Sequence, residues 1–323
     1  MQKENNSYII LNIFLFSFIS TLFSQNFTPQ NNQKLNYRQI EFSWPQIPNS
    51  NNYKLDIKKS NNILYSFNTT NNIIIVDGYG LDWGEKYTWQ ICGFYDAELY
   101  ECHDKKYFEL SELPHDRMPT ILEVKYLNDT KIMEGLTIFT GYHHSITSGI
   151  GIDKYGEVLW FSGEPRRDIQ FLDNGNIIAR TSSRLAEYTI NDELIFESEN
   201  LGFHHLIQKT NKGTYLGLTK SYQAGECPSP YCPIAFSFMP IIWRGDVITE
   251  LDIDGNVIWE WDSLEHIGIE NYNSHYIEIM GPSSNGETDW THGNEVFYSE
   301  NENAMYLSLR NLNTISKINY DTK

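Results

Sequence analysis

Hydrophobic and polar residues alternate over short stretches of the chain, and turn-forming residues interrupt them every few positions. Phe42 and Trp44 alternate with polar neighbours, as do Tyr53, Leu55 and Ile57. After the Gly80-Leu81-Asp82-Trp83-Gly84 turn, Tyr87, Trp89 and Ile91 repeat the pattern. A period of two places each set on one face of a strand. These runs, with Asn- and Gly-rich turns between them, predict a small β-sandwich over residues 38–112. Residues 25–37 are rich in Asn and Gln with almost no core-forming side chains, and read as a flexible leader. Pro114-His115-Asp116-Arg117-Met118-Pro119 reads as a linker.

From about residue 120 the pattern repeats. Gly151-Ile152-Asp153-Lys154-Tyr155-Gly156-Glu157-Val158-Leu159-Trp160 is echoed by Leu251-Asp252-Ile253-Asp254-Gly255-Asn256-Val257-Ile258-Trp259. A looser copy runs from Tyr188 to Phe196, and Lys317 to Asp321 resembles the opening of another. In each, a tight turn joins two strands and an aromatic on the second strand packs between sheets. Hairpins around Gly175 and Gly213 alternate with these units, as propeller blades do. In the first half, Trp44, Tyr53 and Tyr87-Thr88-Trp89 resemble a fibronectin type III module, which implies positioning or binding. The expected fold is all-β: an N-terminal fibronectin III-like β-sandwich, then an incomplete β-propeller over residues 120–323.

Composition adds the compartment and excludes one class of partner. Lys3 precedes the apolar run Ile9–Phe23, and Ser24-Gln25 offers a cleavage point, so residues 1–24 read as a signal peptide. An uncleaved anchor is the alternative; either way the body is exported, to the periplasm or outside the cell. No later segment is long and apolar enough to span a bilayer. Export agrees with two local disulfides, Cys92 with Cys102 and Cys227 with Cys232, and the spacing is a poor zinc signal. A net charge of −18 repels nucleic acid. A small anionic substrate then requires a few cations to dominate the field inside a pocket.

Candidate chemistry lies at the starts of two blade-like segments. One is Gly202-Phe203-His204-His205, the other Asp289-Trp290-Thr291-His292-Gly293-Asn294-Glu295. First strands of blades line a propeller's channel. A period of two puts His292 and Asn294 on one face, with Arg310 on the following strand near them. Such a ring of donors suits a tetrahedral oxyanion. His143-His144 reads as structural with entry into the channel as the alternative, Arg166-Arg167-Asp168 as either an anion site or a solvated turn with a local ion pair, and His266 and His275 as surface residues.

The run Asp289-Trp290-x-His292-x-Asn294, with Leu307-Ser308-Leu309-Arg310-Asn311-Leu312-Asn313 and Ile318, resembles the arylsulfate sulfotransferase signature. The resemblance covers roughly residues 120–323. It implies sulfuryl transfer from an aryl sulfate to a phenol through a covalent sulfohistidine, without the nucleotide donor PAPS or any other cofactor. It gives His292, Asn294 and Arg310 sulfate-binding roles, and makes His204 or His205 a further channel histidine, leaving open which faces inward. Two features depart from the family. Glu295 replaces a serine, and the nucleophilic histidine is expected downstream of Arg310, where none precedes Lys323; the sequence reads as truncated there. A homo-oligomer is compatible with this reading. The alternatives are a non-catalytic exported propeller binding carbohydrate, peptide or protein, and a quinone-dependent dehydrogenase, which lacks a clear cofactor and calcium constellation.

Overall fold

The computed structural model describes residues 26–96, 98–116, 128, 131–133, 135–143, 146–226, 241–271, 273 and 287–323. The first half holds β1 (Gln33–Leu35), β2 (Ile40–Ser43), β3 (Asn52–Lys59), β4 (Asn62–Thr69), β5 (Ile73–Val76), β6 (Lys86–Tyr95), β7 (Glu98–Cys102) and β8 (Lys106–Leu110). One sheet has the order β1-β8-β6-β3-β4, with β7 also on β6; the other is β2-β5. Alternation buries one face of each: Phe42, Trp44, Leu55, Ile57, Trp89, Ile91 and Phe108 are all buried. Phe42 meets Trp89 and Phe108 edge-on, with centroids 5.3 and 5.8 Å apart. Burial of such a side chain contributes about 1.5–3 kcal/mol. Cys92 and Cys102 face each other across β6 and β7 and form a disulfide. Cys227 and Cys232 lie outside the described residues, as do residues 1–25.

The segment expected as a leader is drawn into both halves of the chain, which corrects that expectation for its described part. β1 pairs in parallel with β8, and Leu35 is fully buried. Tyr37 then bridges to Trp160, more than a hundred residues away in sequence. Arg38 N donates to Leu159 O at 2.9 Å and Phe161 N to Asn36 O at 3.1 Å. Arg38 is buried, its guanidinium donating to Gly78 O (3.1 Å) and Tyr79 O (2.8 Å). A polar composition argues against a core of the segment's own. It does not argue against lying on an edge that another sheet leaves open.

The second half is a series of antiparallel meanders. They are β9 (Thr137–His143), β10 (Ile146–Ile152) and β11 (Val158–Phe161); then β12 (Arg167–Phe171), β13 (Ile177–Thr181), β14 (Arg184–Tyr188) and β15 (Leu194–Glu197). Next come β16 (His204–Lys209), β17 (Tyr215–Gly225), β18 (Ile241–Leu251) and β19 (Val257–Asp262), with β20 (Glu287–Asp289) parallel to β18. The last is β21 (Gly293–Ser299), β22 (Ala304–Leu309) and β23 (Thr314–Asn319). The first strands touch in succession, β9 with β12, β12 with β16, and β16 with β21. This is the blade arrangement of a β-propeller.

The repeated hairpins close as the sequence predicts. Asp153 Oδ1 accepts from Tyr155 N and Glu157 N at 2.9 and 2.8 Å, and Asp252 Oδ1 accepts from Asp254 N and Asn256 N at 2.9 and 2.8 Å. The aromatic of each unit reaches the next blade. Trp160 meets Phe171 at 5.0 Å, Phe196 stacks on Tyr215 at 4.1 Å, and Trp259 stacks on Tyr320 at 5.2 Å. Buried carboxylates add polar ties beside these stacks. Glu187 of β14 accepts from Asn176, Lys209 and Tyr215, and Glu250 of β18 accepts from Thr214 and Tyr320.

Candidate functional site

Each of three first strands starts with a kink. Register slips by a bulge between Arg167 and Gln170, between His204 and Ile207, and between Gly293 and Glu295. Asp168, His205 and His292 take left-handed φ values of 54°, 57° and 49° at these places. Such a conformation is uncommon for residues other than glycine, although Asp and His adopt it more readily than most. The kinks turn side chains inward that a straight strand would leave to alternate.

The imidazoles of His204, His205 and His292 gather at one cavity. His205 lies between the other two, with centroids 5.2 Å from His204 and 5.5 Å from His292. The cavity holds about 90 Å³ and is lined by the three histidines with Lys220, Arg244, Asp246, Asp289 and Gly293. That is space for about three waters at roughly 30 Å³ each, the scale of a small oxyanion but not of a whole aryl ester.

Two of the imidazoles are held by carboxylates. His204 Nε2 lies 3.1 Å from Asp246 Oδ1 and 3.2 Å from Thr219 O. His292 Nδ1 bonds to Asp289 Oδ2, which also takes Arg244 Nη2. Burial works to raise the Asp289 pKa, but the His292 hydrogen bond and the Arg244 charge outweigh it and leave the carboxyl below its ordinary value. The backbone behind His292 is fixed as well. Asn311 Nδ2 donates to Asp289 O at 2.7 Å, and Trp290 is buried in a cluster with Ile241 and Trp243.

His205 has no carboxylate of this kind. Burial, then the neighbouring His204 and His292, hold its pKa below the ordinary imidazole value, against a smaller pull from Asp168 and Asp246. It is therefore a neutral ring at pH 7. Lys220 is exposed at the cavity wall, and its ammonium makes no hydrogen bond or ion pair with any described residue. With neutral rings Lys220 and Arg244 match Asp246 and Asp289 in formal charge, and Lys220 is the cation of the lining that no described residue pairs.

His292, His204 and His205 come together at one cavity, and both members of the His204-His205 pair line it. Asn294 and Arg310 are beside that lining rather than in it. His292 precedes the strand with a left-handed φ and Asn294 occupies the bulge, so the expected period of two fails between them. Arg310 N donates to His292 O at 3.1 Å, while its Nε donates to Asn311 Oδ1 at 3.1 Å. Glu295 is exposed and absent from the lining.

The Arg166-Arg167-Asp168 expectation needs correction. Arg166 is 1% exposed, bonded to Asp192, with its guanidinium 3.6 Å from the centroid of the Tyr188 ring. A carboxylate and an aromatic face together replace the water a solvated turn would keep. His266 is exposed and stacks on Trp261. His144 and His275 are outside the described residues, as is the side chain of His143.

Sequence reasoning did not single out Lys220, Arg244 or Asp246. One signal was present. Arg244 and Asp246 stand two apart within the otherwise apolar run Ile241 to Ile248, and charges in such a run are rarely buried without a partner or a task.

Among solved structures, a protein of unknown function from Bacteroides caccae is similar at 12% identity over 80% of this chain and 82% of its own, with a TM-score of 0.29. A likeness that loose carries no argument. No curated protein matches the chain. Residues 122–323, which contain every blade and all the cavity's residues, match the model of the family described as Arylsulfotransferase (ASST), and the chain belongs to that family.

Proposed function

We propose that the cavity between β16, β17, β18 and β21 receives the sulfuryl group of an aryl sulfate, with the aryl ring outside it, for transfer to a phenolic acceptor. The observation that carries this reading is the convergence of His204, His205 and His292 with Lys220 and Arg244 on a space of about 90 Å³. Lys220 supplies a positive charge that no described residue pairs, and the imidazoles of His204 and His292, whose positions Asp246 and Asp289 restrict, become donors to an anion when a second proton binds the ring. Fixed donors aimed at sulfate oxygens stabilise negative charge as it spreads over them in the transition state. Asn294 and Arg310 are included as sulfate-binding residues through the family signature. Arg310 adjoins the site through its backbone bond to His292.

The chemistry is a double displacement. An imidazole nitrogen attacks sulfur, the sulfur–oxygen bond to the aryl group breaks, and the phenolate leaves. The acceptor phenol then loses its proton, which the departed phenolate takes up through solvent, and attacks the same sulfur; the nitrogen–sulfur bond breaks and a neutral imidazole returns. The nucleophile is expected downstream of Arg310, and His204, His205 and His292 are read as binding groups. Residues 1–24 are proposed as an export signal, residues 38–112 as a positioning module, and the periplasm or exterior as the site of action. No helix among the described residues is long and apolar enough to cross a membrane.

The test is release of nitrophenolate from 4-nitrophenyl sulfate in the presence of phenol. His292→Ala and Lys220→Ala are expected to lower kcat/KM by about a hundredfold and about tenfold, the scale of losing a charge-stabilising donor. Sulfate ester binding without turnover would favour the non-catalytic binding reading; no binding at all would remove both.

A further inference from the structure

Asp246 lies in the middle of β18 and is 4% exposed. Its two oxygens serve two different strands. Oδ1 faces His204 Nε2 at the start of β16, 3.1 Å away. Oδ2 accepts from Thr291 Oγ1 and from Gly293 N, the residues on either side of His292. The Asp246 backbone N–H donates to Ser263 Oγ at 2.9 Å and to Thr291 Oγ1 at 3.1 Å. Gly293 makes the approach possible, since a Cβ there would lie 2.9 Å from Asp246 Cγ.

We propose that Asp246 is a positioning residue: one buried carboxylate that sets the His204 ring and the His292 turn, from neighbouring blades, in fixed relation to each other. The proposal rests on the reading of the cavity as a sulfuryl site. It also assigns ring protons. His204 Nε2 faces two acceptors, Asp246 Oδ1 and Thr219 O, so the neutral ring carries its proton there. No described residue bonds Nδ1, the lone-pair nitrogen of the neutral ring, which donates to an anion once the ring takes up a second proton. His292 is the opposite case, with Nδ1 donating to Asp289 and Nε2 left over. The two histidines therefore offer different ring nitrogens to the same small space, and Asp246 couples their positions.

The experiment is nitrogen-15 NMR of histidine-labelled protein at about pH 9, above the ordinary imidazole pKa of about 6.5. His204→Gln and His292→Gln spectra assign the signals, and inorganic sulfate is titrated separately at about pH 6, where imidazoles take up a second proton. His204 is expected as the Nε2–H tautomer and His292 as Nδ1–H. Asp246→Asn sets an amide donor against the His204 N–H while keeping an oxygen for Thr291 and Gly293. It is expected to shift ring signals of both histidines and weaken sulfate binding about tenfold, with cooperative unfolding retained. Thr291→Val, which removes both hydrogen bonds between the Thr291 hydroxyl and Asp246 without changing shape, is expected to move the His204 signals by less and weaken sulfate about threefold.

A His204 found as Nδ1–H in the parent protein would overturn the proposal. So would ring signals and sulfate affinity that both survive Asp246→Asn. If Asp246→Asn fails to fold, unchanged His204 signals in Thr291→Val overturn it instead. A parent that binds no sulfate sinks the sulfuryl reading, and the ring signals still decide whether Asp246 couples the two histidines.

Discussion

His205 shows how much one side chain's surroundings decide. It sits at a left-handed φ, which costs about 1–3 kcal/mol, half-buried between two other imidazoles. Burial and the two rings lower its pKa, and an anion in the cavity would oppose both effects. Sulfate binding is therefore expected to take up a proton, and affinity to rise as pH falls below about 6.5. Calorimetry in buffers of different ionisation enthalpy measures that uptake, and His205→Gln should abolish it. Folding stability runs the other way. The unfolded chain binds more protons between the lowered value and the ordinary one, so His205 makes stability rise with pH through that window. At this scale the sequence was half legible. His204, His205 and His292 stood out as histidines at blade starts, but nothing in an alternating pattern announces a backbone kink that reverses which way a residue faces.

The hairpins were the most legible elements, because their turn chemistry is local. Asp153 and Asp252 use a side-chain oxygen to close turns that need a glycine at positive φ, here Gly156 and Gly255. The seams between blades were less so, since a Glu inside a strand gives no hint of its partner. Glu187 is an example. Burial favours its neutral form, but hydrogen bonds from Lys209, Tyr215 and Asn176 prevail and lower its pKa. The unfolded chain then takes up protons first as pH falls. The contribution of Glu187 is present above the ordinary carboxylate range and lost on acidification through the lowered value. Urea midpoints measured between about pH 5 and pH 3 should fall more steeply in the parent than in Glu187→Gln.

For the molecule as a whole, the sequence disclosed two kinds of β architecture but not the join between them. Arg38 is at that join, between the carbonyls of Gly78 and Tyr79 on one side and Glu157 on the other, 3.5 Å away. Gly78 permits the approach, because a Cβ there would fall 2.1 Å from Arg38 O. Tyr79 adds a bond from its hydroxyl to Asp153 at 2.6 Å, which pushes its pKa up to about 12. Arg38→Ala leaves two carbonyls short of a charged donor, at a cost of about 3 kcal/mol. Scanning calorimetry is expected to resolve two unfolding transitions in that variant where the parent shows one. Composition hid this join because Asn and Gln side chains read as solvent-loving until a neighbouring backbone is supplied.

The pairing of Tyr37 with Trp160 also bears on the order of synthesis. The chain emerges N-terminus first, from the ribosome and then on export, so residues 36–38 appear before the strand they lie against and the sandwich can fold around β1 and hold the segment in place. When Val158–Phe161 emerges, its edge meets a partner already anchored on a folded body, not a free strand of another chain. The first-made part of the protein thus acts as a template for the first blade, and guards that edge against aggregation while the remaining blades are still being made.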